Sequence, residues 1–309
     1  GHLRGRGRVT RPAAVRPLCA ETARERGAPR SATASRIDTW LLVEHAGYWP
    51  YEPLDAAVFA GPVREHVAAQ LAAHLPARLL LVKRPGRRPR GPLEVVYGRT
   101  DEQGGRFRRL ELESYDGLLG LDLGKRAGER LRQPLLLVCT HGIRDRCCAR
   151  YGQALVRELV RHADPAWIRQ ASHVGGDRFA ANLVVLPEGL YFGRVEREQV
   201  APLLSAYRGG RIELASYRGR SCHPFAVQAA EGHVRRMTGL DGIDDVRVVA
   251  VRREARDRFR VELEAVPAGM LHELEVGVEL SEPVLLTCKS QELKPARRFV
   301  VRSHRKRSG

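Results

Sequence analysis

No stretch of this 309-residue sequence approaches the ~18 consecutive apolar residues that would cross a bilayer as a helix, so a membrane-spanning helix is not expected. The N-terminus carries the positive charges of an export signal without its apolar segment, and export is not indicated. Cysteine is sparse. The six residues include no C-x-x-C pair, the spacing shared by dithiol oxidoreductases and zinc knuckles, and they do not read as a secreted disulfide framework. Cytoplasmic residence is the expectation that follows. The chain also begins without Met, so its true start is expected upstream. Lysine is nearly missing, five against 48 Arg, a bias read as genome composition rather than a set of phosphate clamps.

What is present is charge: a formal net +17, with 29% charged and 43% hydrophobic residues, the balance of a globular protein long enough for two ordinary domains. Much of the excess sits at the ends. Residues 1–17 carry Arg4, Arg6, Arg8, Arg11 and Arg16, and residues 295–309 carry Arg297, Arg298, Arg302, Arg305, Lys306 and Arg307, with no acid in either segment. Both are expected to be solvated tails, dispensable for the fold. A third cluster, Lys83, Arg84, Arg87, Arg88 and Arg90, lies in a Pro/Gly-rich loop. Neither terminus alternates aromatics with its arginines for stacking on bases, so nucleic acid is not the expected partner.

The pattern of apolar residues predicts an α/β protein. Trp40 to Glu44 reads as a strand, Ala56 to Leu75 as a helix stopped by Pro76, and Leu79 to Val82, Leu93 to Tyr97 and Arg106 to Leu112 as strands. Residues 18–116 thus form a smaller α/β unit, with 117–133 as the best linker. The next unit, 131–215, has the order β-α-β-β-β-α of a thioredoxin-like domain. Its elements are Leu135 to Val138, Ala149 to Ala163 with Leu155, Leu159 and Val160 on one face, Trp167 to Ala171, Asn182 to Leu186, Leu190 to Val195, and Arg197 to Tyr207. An α+β extension follows over 216–290, with a helix from Pro224 to Met237 and strands at Val246 to Arg252 and Phe259 to Glu264. A basic tail, 291–309, completes the chain. The first two units have loosely similar element orders, but no sequence repeat supports a duplication.

The segment that carries chemistry is Cys139-Thr140-His141-Gly142-Ile143-Arg144-Asp145-Arg146-Cys147-Cys148, followed by His173-Val174-Gly175-Gly176-Asp177. Cys139 stands at the carboxyl end of one predicted strand and His173 just beyond the next, where ligand sites of α/β sheets form. Cys148 opens a helix, whose N-terminal partial charge favours thiolate. Gly175 and Gly176 permit a tight turn that lets residues 173 and 177 face one atom. Thiolates and imidazole suit iron-sulfur clusters and zinc, while buried structural cysteines and an ordinary hydrogen-bonded histidine are the bland alternative. Cys19, Cys222 and Cys288 stand apart and read as packed small residues, His223 and His233 as ordinary polar side chains, and Arg218-Gly219-Arg220-Ser221 as a salt-bridged turn rather than an anion site.

The stretches CTHGIRDRCCARYGQAL, SHVGGDRFAANLVVLPEGLYFGRV and YRGRSCHPFAVQAAEGHVR closely resemble the sucrase/ferredoxin-like family of thioredoxin-like ferredoxins, and residues from Cys19 to Pro50 are similar to its N-terminal region. The resemblance implies a 2Fe-2S cluster bound by C-x8-C and H-x-G-G-H. It assigns Cys139 and Cys148 as thiolate ligands and His173 as the first imidazole. Asp177 replaces the second His. A carboxylate is a harder ligand than the family uses, so three outcomes stay open: Asp177 binds iron, His141 or Cys147 substitutes, or the site has lost its cluster. The function implied is electron transfer or redox sensing with a redox partner that the sequence does not identify. The alternatives are a sugar hydrolase, suggested only by the family's name and lacking a marked carboxylate pair, and a polyanion-binding structural protein using the basic tails.

Overall fold

The computed structural model describes residues 17–86, 91–290 and 292–308; the tail over 1–16 and the basic-loop residues 87–90 lie outside them. A short helix α1 (Cys19–Glu25) precedes β1 (Thr39–Glu44), which is buried at all six positions. A run of apolar residues without alternation marks a strand covered on both faces. Helix α2 (Gly61–Ala73) crosses over to β2 (Ala77–Lys83), parallel to β1, and β3 (Leu93–Arg99), β4 (Arg106–Leu112) and the two-residue β5 (Glu129–Arg130) add on antiparallel from β1 outward.

The pattern then repeats. Strand β6 (Leu135–Cys139), helix α3 (Arg146–His162) and strand β7 (Ile168–Ala171) form a second parallel crossover, and β8 (Asn182–Leu186) and β9 (Leu190–Gly193) add on antiparallel before helix α4 (Arg197–Arg208). These elements follow the β-α-β-β-β-α order expected of residues 131–215. Their strand order β7-β6-β8-β9 has the same parallel and antiparallel relations as β2-β1-β3-β4, so the chain contains a structural repeat that its sequence conceals. On α3, Leu155, Val156 and Leu159 are buried against the sheet while Val160 is 41% exposed. Five residues advance a helix by about 500°, which carries Val160 roughly 140° away from Leu155, so the expectation for Val160 is corrected.

The two units are not separate bodies divided at the expected linker. Strand β2 pairs antiparallel with β7, Val82 facing Ala171 and Lys83 facing Gln170, giving one ten-stranded sheet. One core runs beneath both, with Trp40, Leu42, Leu80 and Val96 from the first and Leu137, Val184, Leu186 and Tyr191 from the second. A buried ion pair, Arg169 to Glu94 at 2.7 Å, ties β7 to β3. Strand β10 (Tyr217–Arg220) closes the far edge beside β9, so the region expected to start the C-terminal extension begins inside the large sheet.

Helix α5 (Phe225–Thr238) then packs on a four-stranded antiparallel sheet of β11 (Val246–Ala255), β12 (Arg258–Ala265), β13 (Met270–Leu280) and β14 (Arg297–Ser308). Val227, Ala230 and Val234 of the helix meet Val261, Leu263, Leu274 and Val276, with Phe299 and Val301 packed against them. The expected basic tail is therefore an edge strand. Its arginines stand on exposed positions while Phe299 stacks on Phe225 at 5.4 Å. Among the described residues no helix is long and apolar enough to cross a membrane.

Candidate metal centre

Cys139 ends β6 and lies opposite Ala171, the last residue of β7, so the loops leaving these parallel strands run side by side. The first loop turns into α3 at Asp145, whose Oδ1 accepts the Cys147 N–H at 2.8 Å as a helix cap. The second carries His173 and reverses at Gly175 (φ +101°) and Gly176 (φ +85°), both left-handed. A Cβ at Gly175 would fall 2.2 Å from Ser35 Oγ, and one at Gly176 would fall 2.3 Å from Arg218 Nη2. The reversal brings His173 Nδ1 to 3.1 Å from Asp177 Oδ1.

Four side chains converge there. Cys139 Sγ is 4.0 Å from His173 Nδ1, and the Cys148 thiol donates to Asp177 Oδ1 at 3.4 Å. Donor atoms of Cys139, Cys148 and His173 all lie within 4.8 Å of one another. Cys139, Cys148 and Asp177 are buried, whereas the His173 side chain is 16% exposed and lines a cavity of about 270 Å³ with Tyr51, Glu52, Arg78 and Arg144. Two thiols and an imidazole this close can hold a metal ion, with the Asp177 carboxylate beside Cys148 and His173, and the softness of the three suits zinc or iron.

Charge within this group differs from the sequence reading. The adjoining Cys148 thiol holds Cys139 well below the ordinary cysteine range, against the opposing effect of burial, and His173 adds to the effect. The proximity of Cys139, then burial, pushes Cys148 well above that range. Cys148, although it opens the helix, is thus raised rather than lowered, because its neighbouring thiol and burial outweigh the helix's partial charge. Burial also pushes the Asp177 carboxyl up, while the charge of His173 draws it back.

The alternative ligands go elsewhere. His141 is buried against Trp49, its Nε2 lying 3.2 Å from the Trp49 carbonyl oxygen, and it is not among the mutually close donors; burial pushes its pKa down. Cys147, one residue before Cys148, faces Cys19 and Cys288, which the spacing had left as isolated packed residues. Cys222 is free and partly exposed, His223 is buried between Glu231 and Glu102, and His233 approaches His304 at 3.3 Å. Arg218 and Arg220 are buried strand residues, not a turn: Arg218 donates to Asn182 Oδ1 at 2.7 Å and to the Gly175 carbonyl at 3.1 Å, bracing the loop from below.

The residues that spacing missed are the braces. The Val174 carbonyl accepts from Ser35, Arg78 and Tyr191 at 2.9 to 3.1 Å, so the first unit grips the His173 loop. Arg144 pairs with Glu52 at 2.7 Å and covers the Tyr51 ring. No local pattern marks them, since each bond joins segments far apart in sequence.

A family model described as sucrase/ferredoxin-like matches residues 31–219, which include Cys139, Cys148, His173 and Asp177 but neither Cys19 nor Cys288. Among curated proteins, "Altered inheritance of mitochondria protein 32" of Meyerozyma guilliermondii is 35% identical over 95 residues, 28% of this chain and 34% of the relative. The chain thus spans about a third of that relative's length. No solved structure matches.

Proposed function

Since this chain belongs to the sucrase/ferredoxin-like family, we propose that Cys139, Cys148, His173 and Asp177 hold a 2Fe-2S cluster and that the protein transfers electrons or senses redox state through it. The observation that carries this reading is the convergence of two buried cysteines with His173 and Asp177 at the ends of a parallel strand pair. Six unpaired cysteines fit the reducing cytoplasm expected for the chain.

When bound, such a cluster supplies a one-electron couple at a potential set by ligand charge, hydrogen bonds to sulfur and exposure. The protein's own groups perform the rest. Cys139, Cys148 and Asp177 exclude water, and His173, the one ligand candidate of the four with an open edge, gives the electron its shortest route to a partner at the adjoining cavity. Ser35, Arg78 and Tyr191 fix the loop that carries His173, which limits rearrangement between charge states. Asp177 places an anion where the family has a neutral imidazole. This lowers the potential, so Asp177→His raises it, the direction taken when imidazole replaces thiolate.

The test is anaerobic purification with iron and acid-labile sulfide measured on the same sample as the visible spectrum. Equal iron and sulfide, both lost in Cys139→Ser and Cys148→Ser, support the cluster. One metal per chain with no sulfide favours a mononuclear ion, a reading that the compactness of the donor set supports: ligands of different irons in a bridged pair spread wider than ligands sharing one ion. A chain that takes up no iron until Asp177 is changed to His refutes both as its present function.

A further inference from the structure

We propose that Cys19, Cys147 and Cys288, with Asp145, form a second metal site of structural type, selective for zinc-class divalent ions and separate from the group at Cys139. The three sulfurs form a compact triangle: Cys19 to Cys147 is 3.6 Å, Cys147 to Cys288 3.4 Å, and Cys288 to Cys19 3.6 Å. Three thiolates on one tetrahedral zinc, at bonds of ~2.3 Å, stand ~3.8 Å apart. Small outward adjustments open the triangle to that spacing. None of the three forms a disulfide.

The surroundings are those of metal-bound sulfur. The backbone N–H of Cys19 donates to Cys288 Sγ at 3.4 Å and that of Ala20 to Cys147 Sγ at 3.5 Å. Amides aimed at sulfur stabilise thiolate and orient it. Asp145, 1% exposed, has both carboxylate oxygens 3.7 Å from Cys19 Sγ. Each oxygen already accepts one amide, from Cys147 at 2.8 Å and Cys288 at 2.6 Å. A carboxylate has about four acceptor sites, so one oxygen remains able to complete a tetrahedron. All four groups are buried and mutually within 4.8 Å.

Binding exchanges three thiol protons, released to solvent, for one divalent ion, and no electron moves. The ion would join α1, the first turn of α3 and the loop between β13 and β14, segments otherwise held here by a small apolar cluster of Leu18, Ala20, Ala180 and Leu285. Its structural role follows from closure: with three thiolates and Asp145 no position is left for a substrate. The adjacent Cys147 and Cys148 thereby serve two different centres from one helical turn.

The experiment uses the full-length chain carrying Cys139→Ser and Cys148→Ser, so that the cluster site contributes nothing. It is expressed with zinc, desalted over a chelating resin, and assayed for metal by mass spectrometry and for cobalt exchange by absorption. About one zinc per chain, and an intense thiolate-to-cobalt band, are expected. Adding Cys288→Ser lowers retained zinc at least about tenfold, the minimum for losing a ligand when supporting residues alone cost that much. Cys222→Ser leaves it unchanged. In the otherwise unsubstituted protein, Cys288→Ser removes zinc and leaves iron and sulfide content as before, which separates failure here from failure of the cluster reading. Zinc absent from the unsubstituted protein, zinc retained by Cys288→Ser, or a mass deficit of two hydrogens showing a disulfide among these cysteines would overturn the proposal.

Discussion

Replacing Gly176 by Ala tests how the backbone builds the site. Two effects add. Gly176 has φ +85° and ψ +54°, a left-handed conformation that costs a non-glycine residue about 1–2 kcal/mol. The new Cβ would also stand 2.3 Å from Arg218 Nη2. That guanidinium cannot swing away, because it is buried and bonded to Thr33, Gly175 and Asn182, so forced overlap adds about 1–3 kcal/mol. The expected destabilisation is therefore about 2–5 kcal/mol. Gly239 supplies the control: its φ is +75°, but a Cβ there meets nothing within 4 Å, so Gly239→Ala should lose the strain alone. Urea unfolding followed by both circular dichroism and tryptophan fluorescence gives the two values, with coincident transitions as the check on two-state behaviour. Metal retention should fall in Gly176→Ala and hold in Gly239→Ala, since only the former displaces the turn joining His173 to Asp177. Equal losses in the two variants, within about 0.5 kcal/mol, would refute the argument from Arg218.

Further outcomes follow from other contacts. Burial alone would lower the His223 pKa, but bonds to Cys222, Glu102 and Glu231 carry it well above 6.5; burial would raise Glu231, but Arg235 and His223 hold it below 4.5. The histidine's contribution is thus complete below about pH 6.5 and lost as pH rises through its raised folded value, while the glutamate's is complete above about 4.5 and lost as pH falls through its lowered one. His223→Gln should flatten the alkaline limb of the melting-temperature profile and shrink the acid limb only in part, since Arg235 still holds Glu231 down; an unchanged alkaline limb rejects the assignment. Removing residues 297–309 strips β13 of one of its two neighbouring strands and Phe225 of Phe299, and should cost more than about 3 kcal/mol by thermal or urea melting; a loss under about 1 kcal/mol would restore the dispensable-tail reading. Glu94→Ala takes the carboxylate from the buried Arg169 guanidinium and should cost about 3–5 kcal/mol in the same assay, and a near-neutral result would mean that the Ala166 and Ile168 carbonyls satisfy Arg169 without Glu94.

What could be read in the sequence was local. Trp40 to Glu44, Leu135 to Cys139 and Asn182 to Leu186 are strands buried at every position, and such runs declare themselves without alternation. Cys139, Cys148, His173 and Asp177 were legible because strand ends and a glycine pair are local signals. The triangle of Cys19, Cys147 and Cys288 was not, since 269 residues separate its outer members and only tertiary packing joins them. Strand β10 escaped because two of its four residues are arginines, which rarely lie in a core unless partnered. Strand β14 escaped because its cations outnumber its apolar residues. The repeat of strand order was hidden for a related reason: topology follows from which faces are buried, and many sequences satisfy the same burial.

The edge strand β14 has a consequence for how molecules of this protein meet one another. A sheet edge offers unpaired backbone groups to any neighbour, and a long edge invites strand addition and aggregation. Here that edge is lined by Arg297, Arg298, Arg302, Arg305, Lys306 and Arg307, all exposed, so a second copy aligning its own β14 would bring like charges together at strand spacing. The cations that looked like a tail act as a fence, keeping the sheet from growing beyond its fourth strand, and high salt, by screening them, should be the condition under which the protein first self-associates.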